Sequence, residues 1–341
     1  MSARVRVPDF SRLRVAVAGD LVADRYLYTS PRKLSREAPV LVLRHERETL
    51  GLGGAANVAR NLRMLGAATE LFGLAGRDAS GRELVARLEE EDIGHESVLS
   101  VPGWTTPTKT RVLAAEARRS VQQVLRIDRE PGQDAPPAKR AEIARRLRSG
   151  AAEFDALVVS DYEYGLVGAE LGSLAREWAA AGRTVVLDPR RALEPFRGIT
   201  ALTPNVGELA RFTGSEPDRL DDPAALARAA GELLAQCGVR WLLVTRGNLG
   251  MALFGEEVPA AGLYVEASGT LEVTDVSGAG DTAAAVFALA LAAGRPAQQA
   301  MQLSNAAAGV VVLEHGAAAC TRAQLERALG ERPGRARSRR R

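Results

Sequence analysis

Two periodicities alternate along most of this chain. Short, nearly continuous apolar runs, rich in β-branched residues, occur as "LRVAVAGD" (13–20), "ALVVSD" (156–161), "RTVVLDP" (183–189), "ALTPN" (201–205) and "RWLLVTRG" (240–247). Such runs suit strands buried on both faces of a parallel sheet. Between them, alanine, leucine and arginine recur at helical spacing over 55–66, 79–92, 137–150, 167–182, 222–236, 280–293 and 297–313. The alternation predicts an α/β fold: a doubly wound, mostly parallel sheet flanked by helices. Two segments depart from it. "APVLVLRHERETL" (38–50) and "TKTRVLAAEARRSVQQVLRID" (108–128) alternate with period two and have no helix between strands. They predict a small antiparallel β lid set apart from the main layer.

In a doubly wound sheet, ligands bind beyond the carboxyl ends of the strands. Asp20, Asp161, Asp188, Asn205 and Thr245 all fall at such ends, which makes that edge the candidate site before any motif is considered.

Composition narrows the field. With 341 residues, 46% hydrophobic and 26% charged, the chain has the make-up of a globular protein. No apolar run reaches the length of a membrane span, and the arginine-rich start lacks a signal peptide's apolar stretch. Two cysteines, Cys237 and Cys320, lack metal-ligand spacing, so a reducing, cytoplasmic setting is expected. Three scattered histidines (His45, His95, His315) argue against a His-based metal site or a Ser–His–Asp scheme. The tail at 331–341 holds six arginines against one glutamate, more than the whole net charge of +3, so the remainder is slightly acidic. That composition argues against nucleic acid as a partner, and the tail reads as disordered. The expected organisation is an extension (1–12), one domain (13–330) and the tail.

The stretch "DVSGAGDTAAAV" (275–286) sets Gly278, Ala279, Gly280 and Asp281 at the mouth of an alanine-rich helix. A helix start offers unpaired N–H groups and the positive end of the dipole, and small residues let an anion approach. Asp281 would repel a phosphate as a ligand but could take a proton from a hydroxyl attacking one. An ordinary packed helix start, with Asp281 favouring the dipole, is equally consistent with these residues. "GLGGAANVARNLRMLG" (51–66) repeats the pattern, with Gly53, Gly54 and the amide of Asn57; a turn before an amphipathic helix reads as well. "LTPNVGELARFTG" (202–214) puts Asn205 and Glu208 on one side of a first helical turn, suiting either Mg2+ held through water or a capping box.

Together the two glycine segments, in this order and joined by an α/β pattern, resemble the signatures of the ribokinase-like (PfkB) carbohydrate kinases over residues 13–329. Within that family, "AGDLVADRYLYTSPRKLSREAPVLVL", "TKTRVL", "QQVLRID", "LDPR" and "NAAAGVVV" are similar to the heptose 7-phosphate kinase part of bacterial ADP-heptose biosynthesis enzymes. The resemblance implies ATP and Mg2+ as cofactors, with Asp281 as base and Gly278, Ala279 and Gly280 as the anion hole. It implies Asp20, Gly53, Gly54, Asn57 and Asp161 on sugar hydroxyls, and Lys109 and Arg111 on a phosphate already carried by the sugar. It further implies Asn205, Thr245, Gly247 and Asn305 around the nucleotide, Asn205 and Glu208 toward Mg2+, and Asp275 near K+. Two departures stand out. Glu163 and Tyr164 replace a small residue and a lysine, which leaves other sugar, sugar phosphate or nucleoside substrates open, and Arg190 replaces a lysine. A non-catalytic sensor is a remoter reading. A dinucleotide oxidoreductase is disfavoured, because "AVAGDLVAD" lacks the glycine spacing. The apolar "VLVL" of the lid implies a homodimer through the lid strands.

Overall fold

The computed structural model describes residues 5–115, 121–191, 193–268, 275–314 and 316–330; the arginine-rich tail lies outside the described residues. The chain opens with β1 (Arg14–Gly19), β2 (Leu21–Leu34), β3 (Leu41–Gly54) and α1 (Ala55–Met64). It continues through β4 (Ala68–Gly76), α2 (Ala79–Glu90), β5 (Val98–Val101), β6 (Thr108–Ala114), β7 (Gln122–Arg129) and α3 (Pro137–Ser149). Then come β8 (Ala156–Ser160), α4 (Ala169–Ala180), β9 (Thr184–Asp188), β10 (Ala201–Leu202), α5 (Val206–Thr213) and α6 (Pro223–Cys237). Last are β11 (Trp241–Thr245), β12 (Met251–Gly255), β13 (Leu263–Val265), α7 (Ala279–Ala292), α8 (Ala297–Val311) and α9 (Arg322–Ala328).

A nine-stranded sheet runs β13-β12-β11-β10-β9-β8-β1-β4-β5, parallel except where β12 meets β11 and β13. Side chains leave a strand on alternate faces, so β1 sends Val15 and Val17 into one core and Ala16 and Ala18 into the other. Helices α1, α7 and α8 cover the first face; α3, α4 and α6 cover the second. Helix α7 is buried on every side from Asp281 to Leu291, as expected of a helix without a polar face. Its alanines give helix propensity and let it lie close to β8, β9, α1 and α8. Val7 and Phe10, from the segment expected as an extension, are buried in the first core.

A second, four-stranded sheet runs β3-β2-β6-β7, with β2 and β6 parallel and the other pairs antiparallel. The lid is larger than the sequence pattern suggested. β2 was not anticipated, because it follows β1 after a single residue, Asp20, with no turn signal between them. Conversely, the run at 201–205 forms a ladder only at Ala201–Leu202; Pro204 has no N–H to continue it. The outer lid exposes Leu34, Val40, Leu41, Val124, Leu125 and Ile127.

Candidate active site

The glycines at the start of α7 differ in what surrounds them. Gly278 adopts φ +80° with no side-chain cap, and a Cβ there would lie 2.6 Å from the Asn57 Nδ2. Gly280 is different: a Cβ there would meet nothing within 4 Å. Packing therefore does not require glycine at 280, whereas an approaching ligand would. The N–H groups of Gly280 and Asp281 have no acceptor among the described residues, and the dipole reinforces them.

Asp281 is 3% exposed. Asn57 Nδ2 donates to its Oδ2 at 2.9 Å, and the Tyr162 hydroxyl donates to its Oδ1 at 2.8 Å. Burial pushes the carboxyl up to about 7, and the charge of Asp188 adds to the effect against the two hydrogen bonds and Arg190. Asn61 Nδ2 donates to the Asn57 main-chain carbonyl at 3.0 Å and lies 3.4 Å from Asn57 Oδ1, bracing that side-chain amide. Asn61 Oδ1 accepts from Thr282 Oγ1 at 3.1 Å and from Cys320 N at 3.0 Å, so one buried amide joins α1, α7 and the 316–321 segment.

The other strand-end acids serve the loops. Asp20 accepts the N–H groups of Tyr162, Tyr164 and Leu166 at 2.9, 3.1 and 3.2 Å. Burial raises its carboxyl to about 7 despite those bonds. Asp161 accepts from Glu163, Arg190 and Arg191 N–H at 2.9, 3.1 and 2.7 Å. These acids, expected on sugar hydroxyls, thus set the positions of Tyr162 and Arg190, and Asn57 faces Asp281. Asp188 Oδ1 accepts from Thr203 at 3.0 Å, while its buried Oδ2 has no partner among the described residues.

Asp24, on β2, was not singled out from the sequence. It is 5% exposed and pairs with Arg111 Nη1. A Cβ at Gly53 would lie 2.4 Å from its Oδ2, so Gly53 makes room for this acid, whereas Gly54, at φ +59°, passes close to the Asp20 carbonyl. Asp24 stands opposite Gly51 in the strand register, a pairing that the sequence does not announce. Lys109 Nζ lies 3.9 Å from Asp128 on the neighbouring β7.

Asn205 and Glu208 form a capping box: Glu208 N–H donates to Asn205 Oδ1 at 2.9 Å and Asn205 N–H to Glu208 Oε2 at 2.8 Å. Glu208 Oε1 pairs with Arg190, and burial raises the Glu208 carboxyl to about 7. Asn205, Thr245 and Gly247 line a cavity of about 400 Å³. Asn305 lies apart from it and donates to the Glu266 carbonyl at 2.8 Å. Asp275 ties two loop segments together, accepting Ser277 N–H at 2.9 Å and Gly316 N–H at 3.0 Å. Hard oxygen donors and the unpartnered Asp188 Oδ2 suit Mg2+ held largely by water. No group of three or more His, Cys, Asp or Glu among the described residues could hold an ion by itself. A larger cavity of about 580 Å³ lies among Thr184, Thr200 and Trp241, at the opposite end of the strands and away from these acids.

A carboxylate beside an uncapped helix start, at the carboxyl edge of a doubly wound sheet with a β lid, defines a phosphoryl-transfer site of ribokinase-like architecture. Residues 12–324 match the model of the pfkB family carbohydrate kinases, and the chain belongs to that family. It is 37% identical over 326 residues to the Bifunctional protein HldE of Desulfatibacillum aliphaticivorans, covering 95% of this chain and 64% of that relative. To the Bifunctional protein HldE of Alcanivorax borkumensis it is 38% identical, covering 96% and 66%. The chain thus spans a little under two thirds of the length of these relatives. Among solved structures it is similar to phosphofructokinase-2 from Escherichia coli in complex with substrates and products (TM-score 0.74, 20% identity, covering 93% and 98%). It is also similar to Arabidopsis thaliana ribokinase complexed with ribose and ATP (TM-score 0.69, 22% identity, covering 93% and 98%). Both share the fold. No helix among the described residues is long and apolar enough to cross a membrane.

Proposed function

We propose that the chain transfers the γ-phosphoryl group of ATP to the anomeric hydroxyl of a sugar phosphate, D-glycero-D-manno-heptose 7-phosphate, giving the 1,7-bisphosphate. One observation carries the reading: a buried carboxylate, raised to about 7, stands beside N–H groups that donate to no capping side chain. In the proposed step the sugar oxygen loses its proton to Asp281 and bonds to the γ-phosphorus, and the bond from that phosphorus to the β–γ bridging oxygen breaks as ADP leaves. Asn57 and Tyr162 orient the Asp281 oxygens, and the unpartnered amides of Gly280 and Asp281 face the developing charge. Mg2+, when bound with the nucleotide, offsets phosphate charge, and Asn205, Glu208 and Asp188 are the residues that would hold it through water. Asp275 is the candidate carboxylate for a K+ ion.

Arg111 is committed to Asp24, so Lys109 is the better placed cation for the phosphate already on the sugar. The heptose assignment rests on the likeness to the HldE proteins. We further propose that the exposed apolar residues of the lid meet those of a second copy. A coupled ADP-release assay comparing heptose 7-phosphate with fructose 6-phosphate, ribose and adenosine tests the substrate. Asp281→Asn in the same assay should cost about 10²–10⁴ in turnover while ATP still binds; wild-type turnover in that variant would remove Asp281 from the reaction.

A further inference from the structure

We infer that Arg190 is a catalytic residue that changes partner during the reaction: it neutralises Glu208 before nucleotide arrives and moves to the transferring phosphoryl group when a divalent cation takes its place. The inference rests on the kinase reading of this site and adds a residue to it.

The geometry supplies the competition. Both Glu208 oxygens are occupied, Oε2 by the Asn205 N–H at 2.8 Å and Oε1 by the Arg190 guanidinium. The Glu208 side chain is 7% exposed, so a hydrated cation coming to that carboxylate meets Arg190 there. The arginine backbone is pinned, its N–H to Asp161 at 3.1 Å and its carbonyl by the Arg211 guanidinium. Exchange therefore falls to the side chain, which is 33% exposed and whose buried Nε has no partner among the described residues.

Its position also suits the second role. The guanidinium carbon lies 5.2 Å from the centre of the Tyr162 ring, and the hydroxyl of that ring bonds to Asp281. Displaced from Glu208, the guanidinium remains stacked within reach of the space beside the reacting carboxylate. A planar fork of donors matches phosphate oxygens in pairs, which an ammonium does not. The carboxylates of Asp188, Glu208 and Asp281 all act on this cation. When one acid is taken by metal, the guanidinium is left with spare positive charge where the phosphoryl group must pass.

Mn2+ is the probe for the exchange, titrated by electron paramagnetic resonance into the nucleotide-free full chain. Arg190→Met should bind Mn2+ about tenfold more tightly than wild type, because a partly buried competitor is gone. Glu208→Gln should lose that binding. In the kinase assay Arg190→Met should lower kcat about 100-fold or more, with Arg190→Lys recovering part of it. Circular dichroism melts of the variants establish folding, and Arg190→Gln serves if the methionine variant does not fold. Equal Mn2+ affinity in wild type and the folded variant overturns the exchange, and an unchanged kcat overturns the phosphoryl contact. If the wild type phosphorylates no sugar, the functional reading falls on that result, while the Mn2+ titration still decides the exchange at Glu208.

Discussion

Replacing Tyr162 by Phe tests how the candidate base is tuned. The substitution keeps the ring under Arg190 and removes the hydroxyl that donates to Asp281 Oδ1 at 2.8 Å. A hydrogen bond to a charged group contributes about 1.5–3 kcal/mol, and about 1.4 kcal/mol corresponds to one pKa unit. Losing it penalises the ionised carboxylate more than the neutral acid, so the Asp281 pKa should rise from about 7 by roughly one to two units. The base works ionised, so kcat should climb with pH through that value. In wild type the acid limb is expected near pH 7, and in Tyr162→Phe near about pH 8–9. At neutral pH the ionised fraction would drop from about half to about a tenth or less, and turnover with it. Above the shifted limb, turnover should recover, because the carboxylate that remains is the stronger base. The assay is kcat against pH from about 6 to 9.5, by ADP release at saturating substrates. A limb that stays in place, or moves to lower pH, would refute the coupling between Tyr162 and Asp281. A uniform loss across the pH range would show a structural lesion instead.

Gly280→Ala separates packing from ligand approach: the added methyl has open space and better helix propensity, so thermal stability should hold or rise by about 0.5–1 kcal/mol. Turnover should nevertheless fall about tenfold or more, because the methyl stands before the free amides; full activity would return the site to an ordinary helix start. Wild-type protein should sediment as a dimer, and Leu125→Asp combined with Ile127→Asp, both on the exposed lid, should sediment as a monomer. A monomeric wild type at micromolar concentration would exclude pairing through the lid.

Much of the frame was legible because burial on two faces leaves a plain pattern. The runs ending at Asp20, Asp161 and Asp188 became β1, β8 and β9, side by side or nearly so in one sheet. The glycine stretch at 278–281 stood out because glycine is costly inside a helix and useful at its mouth. Strands β4 and β5 were missed: "ATELFGLAG" is broken by an acid and a glycine, "VLSV" is brief, and propensity does not announce a strand that tertiary pairing stabilises. Tyr162 and Asp24 were missed for a different reason. Each depends on a partner far away in sequence, Asp281 for the tyrosine and Gly53 for the aspartate, and periodicity carries no information about such pairs.

The strand-end acids show why position alone could not assign roles. Asp20 and Asp281 are both buried and both raised to about 7, so an elevated pKa does not distinguish them. What differs is the donor. Asp20 and Asp161 are each held by three main-chain N–H groups, which fix a loop and occupy three of the roughly four acceptor positions of each carboxylate. Asp281 is held by two side chains, and the helix mouth beside it leaves the Gly280 and Asp281 amides without an acceptor among the described residues. A carboxylate bound by loop amides is a structural anchor, because proton transfer to it would weaken the loop it supports. A carboxylate oriented by an amide and a phenol can take up a proton while the backbone around it stays in place. On the proposed reading the acids divide the work: Asp20 and Asp161, at strand ends, build the loops that present Tyr162 and Arg190, and Asp281, in the first turn of α7, is the one placed to react.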